Sequence, residues 1–220
     1  MQAMKESDRQ LRDAVLKQLE WDPQVTSKDI SAVVGDNVVT LTGFAHHYSE
    51  KYAAEKAAKA VYGVRAVAND IEVKLGTARS DPEIARDVAQ ATKLDVTLPN
   101  NGIKTTVQDG FVTLEGVVEW NFQRTRTESA ARNVPGVRGV MNHIVIKSKP
   151  VSTVEVLHKI EDALRRNAEV DARRITVSAK DGQVHLYGSV RSWIEREEAE
   201  HAAWAAPGVS DVVDHISVMP

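Results

Sequence analysis

The amino-acid sequence predicts an α+β fold of three tandem α-β-β-α-β modules, each with a three-stranded mixed sheet covered by two helices. Gly43, Gly116 and Gly188 recur at intervals of 73 and 72 residues, and another glycine stands twenty residues after each. The same order of helix-like and strand-like patterns surrounds every pair. Self-similarity at a fixed period is the signature of a repeat architecture. The predicted modules span residues 1–76, 77–149 and 150–220.

The register of the repeat extends beyond these glycines. Isoleucine stands thirteen positions before each of the three, aspartate seven before and leucine two before, while valine directly follows each second glycine. Agreement at so many offsets in three segments is not expected by chance. The recurring residues are Ile30, Ile103 and Ile175; Asp36, Asp109 and Asp181; Leu41, Leu114 and Leu186; and Val64, Val137 and Val209.

Each module opens with an amphipathic helix. A serine followed three residues later by Gln or Glu has the spacing of a capping box at a helix N-terminus. Apolar residues then recur every four positions, which places them on one helical face. The three predicted N-cap residues are Ser7, Ser80 and Ser152.

A β-hairpin follows each first helix. Short segments rich in Asp, Asn and Gly separate two strand-like runs at residues 35–37, 109–110 and 181–182. These residue types tolerate the positive φ that tight hairpin turns require. The returning strand alternates apolar and polar residues, as at Val39 and Leu41, so we expect one of its faces to be buried.

The repeated glycines end the second strand and the second helix. We interpret the first glycine of each pair as a position where a side chain would strike neighbouring backbone or force φ out of range. A helix with a stripe of alanines follows and ends at the second glycine, which is typical of a helix C-cap. A last strand then joins the sheet through a right-handed parallel crossover. The predicted structural glycines are Gly43, Gly116, Gly188, Gly63, Gly136 and Gly208.

The amino-acid composition limits the classes of function that the chain can have. The chain is 42% hydrophobic and 27% charged with a net charge of -3, which is typical of soluble globular proteins. It has no cysteine, so disulfides and thiolate metal sites are excluded. No apolar run approaches the roughly 18 residues of a membrane-spanning helix. The N-terminus carries no apolar signal segment, so we expect a cytoplasmic protein as written, or a periplasmic one if an export signal has been removed.

Three tracts carry a resemblance to a known family. They read DNVVTLTG at residues 36–43, DGFVTLEG at 109–116 and DGQVHLYG at 181–188. With their flanking helices, they resemble the BON domain, named for bacterial osmotically inducible and nodulation proteins, over nearly the whole chain. The resemblance implies a non-catalytic module linked with envelope or osmotic stress and with contact to phospholipid surfaces. It supplies no catalytic residue and no cofactor.

Charge and aromatic residues favour the second module as a binding site. Residues 77–149 carry 10 basic and 8 acidic groups, whereas the other two modules are net acidic. Aromatic rings beside arginines at a helix start suit a membrane surface, with the rings at headgroup level and the guanidinium groups on phosphate. The alternative is that the rings pack against the core or another repeat. The predicted lipid-binding residues are Trp120, Phe122, Arg124, Arg126, Arg132 and Arg138.

The second helices also share a charge pattern. Lysine or arginine stands eight residues after each first glycine, and glutamate stands twelve after it. This i, i+4 spacing predicts helical surface ion pairs, each worth about a few tenths of a kcal/mol. The predicted pairs are Lys51–Glu55, Arg124–Glu128 and Arg196–Glu200.

We therefore expect a stress-associated binding protein, not an enzyme, that contacts anionic phospholipid reversibly. Two alternatives stay open: a soluble interaction scaffold or self-associating stress protein, and a protein that binds potassium or another cation, as ion-binding relatives imply. The net negative charge argues against a nucleic-acid partner. His46 and His47 have no third ligand at a recognisable spacing, so no metal site is predicted. No nucleophile–base pair or phosphate-binding loop stands out.

Overall fold

The computed structural model describes residues 6–26, 28–74, 76, 79–98, 102–167 and 170–219. The chain divides into two compact units. The first contains Met1–Gly76 with two short later segments, Val190–Ile194 and Val218–Pro220. The second contains Thr77–Ser189 and Glu195–Ser217.

The described residues form six α-helices, nine strands and one short 3-10 helix in the predicted α-β-β-α-β order, which confirms the fold class. The first module has α1 (Glu6–Trp21), β1 (Ser31–Gly35), β2 (Val38–Ala45), α2 (Tyr48–Lys59) and β3 (Ala66–Val73). The second has α3 (Asp81–Leu94), β4 (Ile103–Gln108), β5 (Phe111–Val118), α4 (Asn121–Arg132) and β6 (Gly139–Ile146). The third has α5 (Thr153–Arg166), the 3-10 turn Ala172–Arg174, β7 (Ile175–Lys180), β8 (Gln183–Val190), α6 (Trp193–Trp204) and β9 (Asp211–Val218).

Each module has its own three-stranded mixed sheet. The strand orders are β1-β2-β3, β4-β5-β6 and β7-β8-β9, with the second strand always central. In the first sheet, β1 and β2 pair antiparallel, whereas β2 and β3 pair parallel with Val39 opposite Val67. The hairpin turns have positive φ at Asp36, Asn37, Asp109 and Asp181, which Asp and Asn tolerate better than most residues do.

One face of each sheet is covered by the two helices of its module. In the first module, Val39 and Leu41 of the central strand are fully buried, and so are Val15 of α1 and Ala54 of α2. Complete burial of a valine or leucine side chain contributes about 1.5–3 kcal/mol. Because side chains alternate along a strand, the residues between these point to the other side of the sheet, which we call the open face.

Serine caps occur at two of the three first helices. Ser80 and Glu83 form the predicted capping box, and the Ser152 hydroxyl accepts a hydrogen bond from the Glu155 N–H at the start of α5. Ser7, by contrast, lies inside α1, because that helix already includes Glu6. The prediction of Ser7 as an N-cap is therefore wrong. Glu6 and Asp8 place negative charge in the first turn, where it is favourable to the helix dipole.

The second strand of each module makes a close backbone approach at its glycine. A Cβ added to Gly43, whose φ is +115°, would overlap the carbonyl oxygen of Asp29 just before β1. The same overlap would arise between Gly116 and the Gly102 carbonyl, and between Gly188 and the Arg174 carbonyl. The glycines after the second helices also have positive φ, and those are Gly63, Gly136 and Gly208.

We expect Gly43→Ala to lower the free energy of unfolding by about 2–3 kcal/mol, because it combines an unfavourable positive φ with a backbone overlap. Urea unfolding followed by circular dichroism measures this. The matched control is Gly35→Ala in the same sheet, where a Cβ would meet nothing within 4 Å; we expect a change within about 0.5 kcal/mol. Equal destabilisation by both substitutions would contradict the role of the close approach.

Candidate functional site

The start of α4 is held by one amide side chain. Trp120, the residue before the helix, has extended backbone angles (φ -131°, ψ 147°). Gln123 Oε1 accepts hydrogen bonds from the backbone N–H groups of Glu119 and Trp120, both at 3.1 Å. Its Nε2 donates to the Thr97 carbonyl at 3.2 Å. This side chain therefore ties the helix start to the loop after α3.

The other two modules use a buried glutamate at the same position. Glu50 accepts from the Thr26 N–H at 2.7 Å and from the His46 N–H at 2.8 Å. Glu195 accepts from the Asp171 N–H at 3.0 Å. The second module has the neutral glutamine because its loop offers a carbonyl, which needs a donor, and a carboxylate has none.

An apolar cleft opens beside the start of α4, within the second unit. Its volume is about 480 Å³, and it is lined by Trp120, Asn121, Phe122 and Thr125 from the second module and by His201, Trp204 and Ala205 from the third. Trp120 is half-buried there, whereas Phe122 is 49% exposed. The size lies within the range of small-molecule sites, about 300–1,000 Å³.

The first unit shows what an aromatic residue does at a comparable helix start. Trp193 packs against the core of the first module. The Lys59 ammonium lies 5.1 Å from the centre of its ring, within the range of a cation–π contact. Packing against another repeat therefore accounts for Trp193, whereas Phe122 keeps half of its surface exposed.

Two of the predicted arginines lie on the first turns of α4, beside Phe122. Arg124 is half-buried, and no described carboxylate forms an ion pair with it. Arg126 is 58% exposed, and its Nε lies 3.1 Å from Asp95 Oδ2. Part of its charge is therefore neutralised by the loop after α3.

Hydrogen bonds from Thr97 favour the ionised form of the Asp95 carboxylate, which is the form that pairs with Arg126. The Thr97 hydroxyl and the Thr97 backbone N–H both donate to Asp95. These hydrogen bonds, with a further one from Arg126, hold the pKa of Asp95 below its ordinary value. Asp95 thus remains ionised down to a lower pH than a solvated aspartate would.

The other two predicted arginines lie away from the aromatic residues. Arg132 is on the last turn of α4, pairs with Glu128 at 2.9 Å, and has only 12% of its side chain exposed. Arg138 follows the helix, where its backbone N–H donates to the Gly110 carbonyl at 2.9 Å. A helix of 12 residues is about 18 Å long. The structure therefore places Trp120, Phe122, Arg124 and Arg126 at the start of α4, and Arg132 and Arg138 at or beyond its end.

The direct ion pairs of the second helices differ from the predicted ones. Glu55 pairs with Lys59 at 2.7 Å, Glu128 pairs with Arg132, and Arg196 pairs with Asp214 on β9 at 2.6 Å. The predicted partners of these groups, such as Lys51 for Glu55, do not make the close contacts. In each module an amide or carboxylate side chain on the third strand contacts these helix groups. It accounts for much of the difference between the predicted and the observed ion pairs.

That third-strand residue is a repeated anchor which the sequence interpretation missed. Asn69 Nδ2 donates to the Lys51 carbonyl and to Glu55, both at 3.1 Å, and Asn142 makes the equivalent bonds at 3.2 and 3.1 Å. Asp214 replaces the asparagine in the third module. The signal was present in the sequence, because all three stand 26 residues after the first glycine.

Two kinds of site are missing from the described part of the chain. Its histidine and acidic side chains form no group of three or more that could hold a metal ion. His46 and His47 instead lie directly before α2, where His47 is the N-cap and the His46 N–H donates to Glu50. Among the described helices, none is both long enough and apolar enough to span a membrane.

Comparison with known proteins gives one family. The model of the BON domain matches residues 7–74, 80–148 and 154–220. Osmotically-inducible protein Y of Escherichia coli (strain K12) is 33% identical to the chain over 129 residues. That alignment covers 56% of this chain and 64% of the relative, so the chain spans less than two thirds of the relative's length.

Two matches to solved structures come from CdsD, a structural protein of the type III secretion system of Chlamydia trachomatis. One is 13% identical with a TM-score of 0.28, and covers 96% of this chain and 93% of the other. The second, a C-terminal domain, is 11% identical with a TM-score of 0.27 and covers 100% of both chains. At these TM-scores the similarity supports no argument about function.

The pKa of Asp95 provides a test of the loop that neutralises Arg126. We expect Thr97→Val to raise this pKa toward its ordinary value, because the largest of the lowering hydrogen bonds is removed. Carboxyl ¹³C chemical shifts followed by NMR from pH 2 to 7 would measure it. A lowered pKa stabilises the folded state above the ordinary value, and that contribution is lost as pH falls through the folded-state pKa. Thr106→Val, on exposed β4, is the control; an unchanged Asp95 pKa in Thr97→Val would contradict the assignment.

Proposed function

The chain belongs to the BON-domain family, and we propose that it is a non-catalytic binding protein that makes reversible contact with anionic phospholipid surfaces. The proposed contact is the aromatic–arginine head of α4, which consists of Trp120, Phe122, Arg124 and Arg126. One observation carries the proposal: Phe122 is 49% exposed at an open apolar cleft, with two arginines on the same helical turns. Phe122 and Arg126 are four residues apart and share one face of α4, so the ring and the guanidinium group can meet the same surface.

The chemistry of the head of α4 suits the headgroup region of a bilayer. Aromatic rings are stable at the boundary between headgroups and acyl chains, where their apolar faces leave water. Guanidinium groups bind phosphate oxygens through two parallel hydrogen bonds. The cleft lined by Phe122 and Trp204 offers additional apolar surface at the start of the same helix.

Electrostatics make such a contact weak and dependent on salt. Each Lys or Arg near an anionic membrane contributes about 1 kcal/mol, and Arg126 contributes less because Asp95 already pairs with it. Two arginines therefore support attachment but not permanent anchoring. The second module is the favoured contact because residues 77–149 have 10 basic and 8 acidic groups, whereas the whole chain has a net charge of -3.

The proposal includes a stress-associated role, which is based on the similarity of this chain to its E. coli relative. The E. coli relative is named for its osmotic induction and is 33% identical over 129 residues. A protein that attaches reversibly to lipid surfaces can have a role in such stress without catalysing a reaction. We propose that this chain has such a role.

Vesicle co-sedimentation tests the lipid contact. Wild type should bind vesicles containing phosphatidylglycerol and not zwitterionic vesicles, with weaker binding at 0.5 M salt, where screening shortens electrostatic interactions. Arg124→Glu/Arg126→Glu should lower the partition coefficient at least tenfold, because the attraction of Arg124, about 1 kcal/mol, and the smaller attraction of Arg126 both become repulsive. Phe122→Ser should lower it severalfold with little change in salt dependence.

The matched control reverses the same number of charges on the equivalent helix of the first module. Lys51→Glu/Lys56→Glu should retain wild-type vesicle binding, and circular dichroism should show that all variants are folded. An equal loss of vesicle binding in both double variants would indicate a general charge effect and would contradict the assignment of the lipid contact to α4. If wild type binds neither vesicle, the lipid proposal is wrong.

In that case the interaction scaffold is the second candidate, and a specific surface favours it. The open face of the second sheet carries four apolar side chains that are each about half exposed, and these are Phe111, Val117, Met141 and Val145. Val117 lies opposite Val145, whereas the opposed pair Glu115 and His143 separates them from Phe111 and Met141. Exposed apolar patches are typical of protein contacts. Sedimentation velocity at micromolar concentration would then show whether the chain associates with itself.

A further inference from the structure

The third sheet carries a pair of histidines on its open face. His185 on β8 and His215 on β9 have nearly parallel rings, with an interplanar angle of 4° and centroids 5.7 Å apart. His185 Nδ1 lies 3.5 Å from His215 Nε2. His215 is exposed and His185 is half-buried, so solvent reaches the space between the two nitrogens.

A chain of hydrogen bonds sets the tautomer of His185. Gln183 Nε2 donates to Asp211 Oδ2 at 2.7 Å, which turns the amide oxygen of Gln183 toward the histidine. That oxygen lies 3.1 Å from His185 Nε2. Because an amide oxygen can only accept, Nε2 carries the proton and Nδ1 presents its lone pair toward His215.

The second imidazole is held by a different contact. The ring of His215 stacks on the ring of Tyr187, with centroids 4.7 Å apart and an interplanar angle of 9°. Stacking restricts rotation of the His215 side chain without occupying either of its nitrogens. Both rings are thus oriented before any ligand arrives, and this lowers the entropic cost of binding.

We propose that His185 and His215 bind a divalent transition-metal ion of the class that prefers imidazole, such as Zn²⁺. Two nitrogens bound to one zinc ion at about 2.0–2.1 Å in tetrahedral geometry are about 3.4 Å apart, which is close to the 3.5 Å separation in the structure. The ion replaces the long N–H···N contact between the rings. Water completes its coordination, because these two imidazoles are the only ring nitrogens at this spot in the described chain.

The surroundings of His185 match those of metal-binding histidines. Such histidines almost always donate their other ring N–H to an oxygen, which fixes the tautomer and raises ligand basicity. Gln183 provides that oxygen, and Asp211 orients Gln183 in turn. The imidazole donor set favours Zn²⁺, Cu²⁺ or Ni²⁺ and disfavours Mg²⁺, which prefers oxygen ligands.

The second module supplies an internal control. His143 stands at the position of His215, 27 residues after the first glycine. Thr113 and Phe111 stand where the third module has His185 and Gln183, so His143 has neither a second imidazole nor the orienting amide. A surface histidine that is otherwise equivalent therefore lacks the pair.

Isothermal titration calorimetry of the tag-free full chain with ZnCl₂ at pH 7.5 tests the proposal. Wild type should bind one equivalent of Zn²⁺, and MgCl₂ should give no binding heat. His185→Gln and His215→Gln should each lower the association constant at least tenfold. Gln183→Leu should lower it by about tenfold, as expected for an orienting partner, and His143→Gln should leave it within twofold of wild type.

Several outcomes would overturn the proposal. The first is that wild type does not bind Zn²⁺, and the second is that wild type and the His185→Gln/His215→Gln variant bind it equally. The third is that His143→Gln loses as much Zn²⁺ affinity as the His185 and His215 variants. Thermal melts in EDTA distinguish a lost site from a lost fold, because all four substituted residues are exposed or half-buried and their substitution should leave the melting midpoint unchanged. Zinc should raise the wild-type midpoint, since it binds the folded state, but not that of the double variant.

Discussion

The close approach between the end of the central strand and the start of the first strand is the constraint on which each module depends. At Gly43, Gly116 and Gly188 the backbone passes so near a preceding carbonyl that no side chain fits. The chain can then leave the sheet, begin the second helix over the covered face and return as a parallel third strand. In each module this glycine therefore determines where the second helix begins. In the second module it thereby determines the position of the candidate contacts on α4.

A common framework with different side chains explains why three similar modules present different surfaces. The clamp at the helix start is Glu50, Gln123 or Glu195, and the anchor on the third strand is Asn69, Asn142 or Asp214. Where the other modules have asparagine, Asp214 forms a partly buried ion pair with Arg196. Glu200 then accepts from the indole of Trp204, at the edge of the apolar cleft. The third module therefore differs at two coupled positions, because Trp204 also stands where the other modules have the basic partners Lys59 and Arg132.

The two proposed sites rely on different physics. The head of α4 would act through exposed ring surface and charge, so its affinity depends on salt and on the number of arginines that carboxylates leave uncovered. The histidine pair would act through directional lone pairs, so it depends on the distance between two nitrogens and on the partners that orient them. Substitutions at one site should therefore leave the other unaffected.

Sequence spacing was sufficient to predict the module order, the mixed sheets and the hairpin turns, because glycine geometry, turn chemistry and apolar alternation all act over a few residues. It also showed that Trp120, Phe122, Arg124 and Arg126 are close in sequence at the start of one helix, and their role in lipid binding stays a prediction. It could not separate Arg132 and Arg138 from them, find that Asp95 pairs with Arg126, or choose Lys59 over Lys51 as the partner of Glu55. Nor could it bring His185 beside His215, 30 residues away. These outcomes depend on distances across strands and between helix ends, which arise only when the chain has folded.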